Sequence, residues 1–196
     1  MFLYLILVSL AYLFGSISSA IVLCRIAGYP DPRRQGSGNP GATNIFRLYG
    51  KKAAAITLAG DLLKGLLPLL IGRALQVPEV ILASLGVAAF LGHLYPIFFQ
   101  FEGGKGVAPF IGILYGLAWP AGVAFMLVWI MIAAIFRYSS LSALVATALS
   151  PALVFIMVPS YAYLTATLLM AGFIFWRHQA NIRKLLSGTE RKIGSK

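Results

Sequence analysis

The chain has 196 residues, of which 60% are hydrophobic and 11% are charged, and its net charge is +11. A soluble domain of this length needs more polar surface, so the composition favours an all-α polytopic membrane protein. The basic residues form short runs between apolar segments, which is typical of cytoplasmic loops and argues against a nucleic-acid partner. The single Cys24 excludes an internal disulfide and a cysteine-based zinc site, and we expect neither a metal nor a cofactor.

Apolar segments of about 20 residues predict membrane-spanning helices. They are Phe2–Cys24, Ala53–Ile71, Val80–Phe99, Ser140–Val158 and Tyr161–Phe175. The longer stretch from Val107 to Phe136 contains Pro120, and as one helix it would place the basic tail outside the cell. Division at Pro120 predicts seven transmembrane helices, with the N-terminus outside and the C-terminus cytoplasmic. The helix near 107–118 is then short, so we expect it to be re-entrant or to begin in a protein pocket. We expect residues 1–196 to form a single integral-membrane domain.

The first polar loop, residues 36–44, predicts an anion site beside the membrane. Glycines allow a ligand to approach the backbone closely, and short polar side chains and an arginine fork add donors suited to phosphate. The backbone candidates are Gly36, Gly38 and Gly41, and the side-chain candidates are Ser37, Asn39, Thr43, Asn44 and Arg47. A tight connection with an Asn or Thr helix cap before Ile45 is the alternative. We interpret Arg33 and Arg34 as lipid-headgroup anchors.

Three ionisable side chains, Asp61, Lys64 and His93, interrupt the next apolar segments. Asp61 and Lys64 lie three residues apart in the second span, where unpaired charges are costly, so we expect them to pair inside the bundle. They form either a structural salt bridge or the floor of a cytoplasmic site. His93 precedes Pro96, and the structural interpretation is that His93 hydrogen-bonds carbonyls freed by a proline kink.

The loop before the short helix predicts a second anion site. Gly103, Gly104 and Gly106 surround Lys105 and directly precede a helix N-terminus, an arrangement that attracts phosphate. The nucleotide-binding spacing of a P-loop is absent. A flexible turn with one positive-inside lysine is the alternative.

The exit of the last span predicts a third set of site residues. His178, Asn181 and Lys184 recur every three residues, so they share one face if the helix continues. An interfacial aromatic with a polybasic anchor explains Trp176 and the charges equally well.

The absence of several catalytic motifs limits the reactions that the protein could catalyse. There is no Gly-x-Ser-x-Gly elbow, no His-Glu-x-x-His zinc site and no His-x4-Asp signature, and only five carboxylates are present. Lysine, arginine, asparagine and backbone N–H groups position anions rather than remove protons. The sequence therefore predicts a reaction that depends on positioning, without an activated nucleophile.

Five ordered motifs resemble the bacterial acyl-phosphate:glycerol-3-phosphate acyltransferases, the PlsY family. They are GSGNPGATN at 36–44, DLLKG at 61–65, GHLYP at 92–96, GGKGV at 103–107 and RHQANIRKL at 177–185. The resemblance implies acyl transfer from acyl phosphate to glycerol 3-phosphate, giving lysophosphatidate and phosphate in the first step of phospholipid synthesis. It also implies a bacterial inner-membrane protein whose active site faces the cytoplasm, and the enzyme that makes acyl phosphate as a partner. A small carrier or flippase of anionic lipid is the alternative.

The resemblance implies catalytic roles for Ser37, Asn39, Lys105 and His178, with the remaining candidates binding substrate. Two positions depart from the expected pattern, Glu102 and Pro109. Because a carboxylate is unfavourable beside a dianion, we expect Glu102 to point away or to pair with a nearby arginine.

Overall fold

The computed structural model describes residues 1–194, and every regular element in that range is a helix. The α-helices are α1 (Phe2–Gly15), α2 (Ser19–Ile26), α3 (Ala42–Ala74), α4 (Glu79–Leu94), α5 (Val107–Leu117), α6 (Trp119–Phe136), α7 (Ser139–Met157), α8 (Tyr161–Arg177) and α9 (Gln179–Leu186). Two 3-10 helices, Pro32–Arg34 and Ile97–Phe99, lie in the connections. The prediction of an all-helical protein is confirmed.

The first predicted span is broken in two. α1 and α2 are bent by 48° at the residues between Gly15 and Ser19. Ser18 caps α2, because its side chain accepts a hydrogen bond from the backbone N–H of Ile21 at 3.5 Å. One continuous helix from Phe2 to Cys24 was therefore the wrong prediction, since serine capping starts a second helix.

The second predicted span lies inside a longer helix. α3 begins eight residues before a kink at Gly50, whose φ of 84° and ψ of −174° are not helical. Glycine adopts this conformation without the clash that a Cβ would introduce. The kink separates the segment that bears Thr43, Asn44 and Arg47 from the apolar part of α3.

The predicted division near Pro120 is confirmed. α5 ends at Leu117, Ala118 is extended, and Pro120 lies in the first turn of α6, where a missing N–H costs nothing. The 11 residues of α5 extend only about 16 Å, roughly half the hydrocarbon thickness. None of them is exposed, and α5 packs against α3, α4, α6, α7 and α8. A short helix is tolerated here because protein rather than lipid surrounds it.

The core is built around α5. Phe110 contacts Phe90 of α4 and Phe125 of α6 with ring centroids 6.5 and 5.9 Å apart, both edge-on. On the other side, α3 and α5 approach through glycines, because a Cβ at Gly65 would overlap the carbonyl oxygen of Pro109 and one at Gly112 would overlap that of Leu62.

Within the described residues 1–194, four helical segments are long and apolar enough to cross a membrane. They are α3, α4 with the following 3-10 helix, α6 and α7, and the bent pair α1–α2 makes a fifth if it counts as one span. α5 is a shorter apolar helix. The protein is thus a multi-helix membrane protein.

Candidate active site

One cavity of about 220 Å³ gathers residues from all three predicted polar regions. Among the predicted site residues, those that line it are Ser37, Asn39, Gly41, Thr43, Asn44, Arg47, Lys105, Gly106, His178 and Asn181. Gly36, Gly38, Gly103, Gly104 and Lys184 do not line it. The structure therefore brings the three regions together, while five of the predicted residues lie behind or beside the cavity wall.

Asn44 organises the first loop. Its side-chain oxygen accepts a hydrogen bond from the Ser37 backbone N–H at 2.9 Å, and its amide donates to the carbonyls of Pro32 and Gln35 at 3.1 Å each. Gly36 has a φ of +61°, and a Cβ there would overlap the Asn44 side-chain oxygen. The Ser37 N–H is thus occupied within the protein, and Asn44 fixes the loop shape.

The predicted Asn or Thr cap of α3 is absent. Gly41 is the N-cap, without a side-chain hydrogen bond, and Asn44 lies in the first turn with its side chain folded back onto the loop. Thr43 hydrogen-bonds Ser139 at 3.1 Å and so connects α3 with α7.

Arg33 is a structural residue rather than a headgroup anchor. Its guanidinium contacts Asp31 at 2.7 Å and Glu102 at 3.3 Å and donates to the carbonyl of Phe99 at 3.0 Å. The Arg33 hydrogen bond holds the pKa of Asp31 below its usual value. The headgroup interpretation of Arg33 was wrong, because the folded chain supplies its partners. The expected pairing of Glu102 with an arginine is confirmed.

Gly103 and Gly104 serve close packing. The Gly104 N–H donates to the carbonyl of His93 at 3.2 Å, and Arg177 donates to the carbonyls of Gly103 and Gly104 at 2.9 and 3.3 Å. A Cβ on Gly103 would overlap the His93 carbonyl oxygen, and one on Gly104 would overlap the His93 ring. These contacts tie the loop to the ends of α4 and α8 and hold Lys105 at the cavity.

Lys105, Asn181 and Glu190 form the centre of the polar site. The Lys105 ammonium donates to the side-chain oxygen of Asn181, whose amide donates to Glu190 at 2.7 Å. The Ser140 hydroxyl donates to the same Glu190 oxygen at 2.6 Å. Burial lowers the pKa of Lys105, with Arg177, Lys184 and Arg47 adding to the effect, while Glu190 opposes it.

His178 lies at a break between α8 and α9, not on a continuing helix. Its φ of −97° and ψ of 7° depart from helical values, so the predicted shared face was wrong, and Lys184 is exposed outside the cavity. His178 Nδ1 lies 2.8 Å from the Ile174 carbonyl oxygen, which fixes Nδ1 as the donor and leaves Nε2 as the acceptor. Burial lowers the pKa of His178 to about 4, so the ring is neutral at pH 7.

The charges inside α3 serve both predicted purposes. Lys64 pairs with Asp61 at 2.9 Å and donates to the carbonyl of Ile17 at 2.8 Å, at the break between α1 and α2. Asp61 also lines the cavity, as does His93. The His93 side chain bonds no carbonyl freed by Pro96, so the interpretation that it serves only to satisfy a proline kink was wrong.

Besides Ser139, which hydrogen-bonds Thr43, the sequence did not single out two further polar cavity residues for a role, Glu190 and Ser140. Their partners are 50 and 9 residues away along the chain, so only the fold brings them together. The one sequence feature that could have indicated Glu190 is that it is a carboxylate within a basic tail. Within residues 1–194 no group of three or more His, Cys, Asp or Glu side chains could hold a metal ion.

Part of the cavity wall is apolar. The polar residues share the lining with apolar side chains, which are Leu58 and Leu62 of α3, Ile111 of α5, and Met126 and Trp129 of α6. The cavity therefore joins a cationic region rich in hydrogen-bond donors to an apolar one.

Comparisons with known proteins identify the family. The family model described as Glycerol-3-phosphate acyltransferase matches residues 5–188. Glycerol-3-phosphate acyltransferases from Methylococcus capsulatus and Thioalkalivibrio sulfidiphilus are 52% and 53% identical over 97% and 95% of this chain, and over 96% and 92% of theirs.

Two crystal structures of PlsY (YgiH), described as an integral membrane glycerol 3-phosphate acyltransferase, are similar in fold. The glycerol 3-phosphate form is 38% identical with a TM-score of 0.93, covering 97% of this chain and 96% of that one. The lysophosphatidic acid form is 36% identical with a TM-score of 0.91, covering 97% and 95%. The chain therefore belongs to the PlsY family of integral-membrane glycerol-3-phosphate acyltransferases.

Proposed function

We propose that the protein transfers an acyl group from acyl phosphate to the 1-hydroxyl of glycerol 3-phosphate. The products are lysophosphatidate and inorganic phosphate, in the first step of phospholipid synthesis. One observation carries the proposal: apolar side chains line the same cavity as Lys105, Arg47 and Asn181. The cationic region suits two phosphate groups, and the apolar part of the wall suits an acyl chain. The family and the forms of its solved members support glycerol 3-phosphate as acceptor.

The acyl group passes directly between substrates. The glycerol hydroxyl attacks the acyl carbonyl carbon, a new C–O bond forms, and the bond from that carbon to the phosphate oxygen breaks. Ser37 lines the cavity but no histidine or lysine hydrogen-bonds its hydroxyl within residues 1–194, so nothing there activates it as a nucleophile. The mixed anhydride already has phosphate as a good leaving group. The site's contribution is positioning and charge stabilisation by Lys105 and Arg47.

A substrate phosphate oxygen takes the proton. In this proposal His178, which lines the cavity and has its Nδ1 bonded to the Ile174 carbonyl, accepts a hydrogen bond from the attacking hydroxyl at Nε2 and so orients it. A ring whose pKa is about 4 is a weak base at neutral pH, whereas a phosphate monoester has a second pKa near 6. His178 therefore orients the hydroxyl, and phosphate is the better proton acceptor.

The protein lies in the bacterial inner membrane as a single acyltransferase domain of residues 1–196. The five spans of sufficient length, together with α5 and α8, make seven spans. Seven spans put the N-terminus outside and the cavity on the cytoplasmic face. The positive-inside rule supports this orientation, since it puts the basic loops and tail on the cytoplasmic side, and Arg47 and Lys105 of those loops line the cavity. The enzyme that makes acyl phosphate would then supply the site from the cytoplasm.

Donor choice tests the proposal. Purified protein in lipid vesicles is given glycerol 3-phosphate with acyl phosphate, acyl-CoA or acyl carrier protein, and lysophosphatidate is measured. We expect product from acyl phosphate alone. Product from acyl-CoA and none from acyl phosphate would overturn the donor, and lipid transport across vesicles without acyl phosphate would indicate a carrier instead.

A further inference from the structure

Two buried ionisable side chains on the cavity wall have no part in the proposed reaction. Asp61 on α3 is 2% exposed and His93 on α4 is 7% exposed, and both line the cavity that holds Lys105 and His178. Burial of such groups is costly unless they have partners. Lys64 explains the burial of Asp61, since the two form an ion pair at 2.9 Å. It does not explain His93.

The surroundings of His93 determine which ring nitrogen carries the proton. Nδ1 is fully buried without a hydrogen-bond partner, and Asp61 Oδ1 lies 3.9 Å from it. A carboxylate paired with Lys64 accepts hydrogen bonds and donates none, so it favours a proton on Nδ1. Nε2 then presents a lone pair. It lies against Gly104, the neighbour of Lys105, and makes no hydrogen bond within residues 1–194.

The cavity thus contains two imidazoles prepared in the same way. His178 donates from Nδ1 to the carbonyl of Ile174, and His93 directs Nδ1 toward Asp61. Each leaves Nε2 as an acceptor, which is the partner that a substrate hydroxyl needs. Glycerol 3-phosphate has two hydroxyls, and the direct-transfer reaction accounts for only one of them.

We propose that His93 Nε2 binds the 2-hydroxyl of the acceptor and makes the site selective for a phosphorylated vicinal diol. This inference rests on the proposed function, in which His178 orients the 1-hydroxyl. His93 is a specificity-determining residue that touches the substrate. Asp61 is a positioning residue, because it holds the His93 tautomer.

An acceptor without the 2-hydroxyl tests the inference. 3-Hydroxypropyl phosphate has the same chain length, phosphate and attacking hydroxyl as glycerol 3-phosphate. We expect the wild-type protein to prefer glycerol 3-phosphate in kcat/KM by about 10-fold or more, since loss of the hydroxyl leaves Nε2 unpaired. A wild-type preference below about twofold overturns the inference without any variant.

Two His93 variants locate the preference. His93→Met removes the acceptor at similar length, and we expect the two acceptors to become equal within about twofold. His93→Gln restores a polar atom near the position of Nε2 and should recover part of the preference. Thr147→Val is the matched control, because Thr147 on α7 also has a buried hydroxyl without a partner but does not line the cavity. An unchanged preference in His93→Met contradicts the inference.

A binding measurement separates this inference from the reaction. Thermal protection of the protein by each acceptor, without any acyl donor, should favour glycerol 3-phosphate in wild type and lose that difference in His93→Met. If protection behaves so but no acyl transfer occurs, the proposed reaction fails and the diol site stands. If acyl transfer occurs but both acceptors protect the wild-type protein equally, the proposed reaction stands and the 2-hydroxyl site at His93 fails.

Discussion

Lys105 is less exposed than Arg47, the other lysine or arginine that lines the cavity. Its ammonium bonds Asn181, and its loop is held by the carbonyl contacts of Arg177. We expect Lys105→Ala to lower kcat/KM by about 100- to 1,000-fold, the usual loss when one charge-stabilising donor is removed. Lys51→Ala is the control, because Lys51 is exposed and does not line the cavity, and should stay within about twofold of wild type. Equal activity in both variants would remove Lys105 from the mechanism.

Glu190 favours the protonated form of Lys105. Burial lowers the pKa of Lys105 and Glu190 opposes that shift, so Glu190→Gln should lower the pKa further. Because the protonated lysine is the active form, kcat/KM falls as pH rises through this pKa, and the basic limb of the profile should move to lower pH in the variant. The substrate phosphates titrate near pH 6, away from this limb.

Glu102→Gln is the matched control for the pH profile. Glu102 pairs with Arg33 and is not a cavity residue, so its basic limb should coincide with that of wild type. A basic limb of Glu190→Gln that stays in place or moves to higher pH contradicts the assigned role of Glu190.

The site residues predicted from sequence are those whose type is unusual beside a membrane. Lys105, His178 and Asn181 follow apolar or glycine-rich segments, and the fold places all three at the cavity. Glu190 was not predicted, because its place in the site depends on a hydrogen bond from Ser140, 50 residues earlier in the chain. Asn44 was predicted as a ligand donor, yet its three hydrogen bonds go to the loop backbone. A side chain's type indicates what it can bond, whereas the fold decides which partner it finds.

The interface between α3 and α5 depends on small residues. A Cβ on Gly65 would overlap the carbonyl oxygen of Pro109, and backbone cannot move aside as a flexible side chain can. We expect Gly65→Ala to destabilise the protein by about 1–3 kcal/mol through overpacking, measured as a lower melting temperature in detergent. Gly172→Ala is the control, because a Cβ on Gly172 of α8 meets nothing within 4 Å. A melting temperature of Gly65→Ala equal to that of the control would show that the helices can separate freely.

Helix breaks were predictable where proline marks them and missed where other residues do. Pro120 cannot continue a helix from α5, so the division of 107–136 follows from sequence. The break before Ser19 comes from a serine cap, the kink of α3 from a glycine φ of 84°, and the break at His178 from ring contacts with α8. Serine, glycine and histidine also occur within continuous membrane helices, so their effect depends on tertiary partners.

Membrane orientation can be measured with single cysteines. The native Cys24 is 1% exposed and should react little with a membrane-impermeant maleimide. We expect Tyr161→Cys, at the exposed start of α8, to be labelled in intact spheroplasts, and Ser187→Cys, after α9, to be labelled only after lysis. The reverse pattern would place the cavity on the outer face and contradict the proposed supply of acyl phosphate from the cytoplasm.

The whole molecule brings short polar loops to one end of an apolar helical bundle. Composition alone predicted the membrane class, and the motifs indicated the family, because both depend on local sequence. The cavity was not predictable in shape. It depends on the burial of α5 among five other helices. Because of that packing, Lys105, just before α5, lines one cavity with residues of α3, α7 and α9 and with apolar side chains.

Release of inorganic phosphate from acyl phosphate, with and without glycerol 3-phosphate, tests the direct transfer in one cavity. If the acceptor attacks the donor without an acyl-enzyme, phosphate appears only when glycerol 3-phosphate is present, and its amount equals that of lysophosphatidate. Lys105→Ala should lose both together. A stoichiometric burst of phosphate before the acceptor is added would reveal an acyl-enzyme and contradict the account.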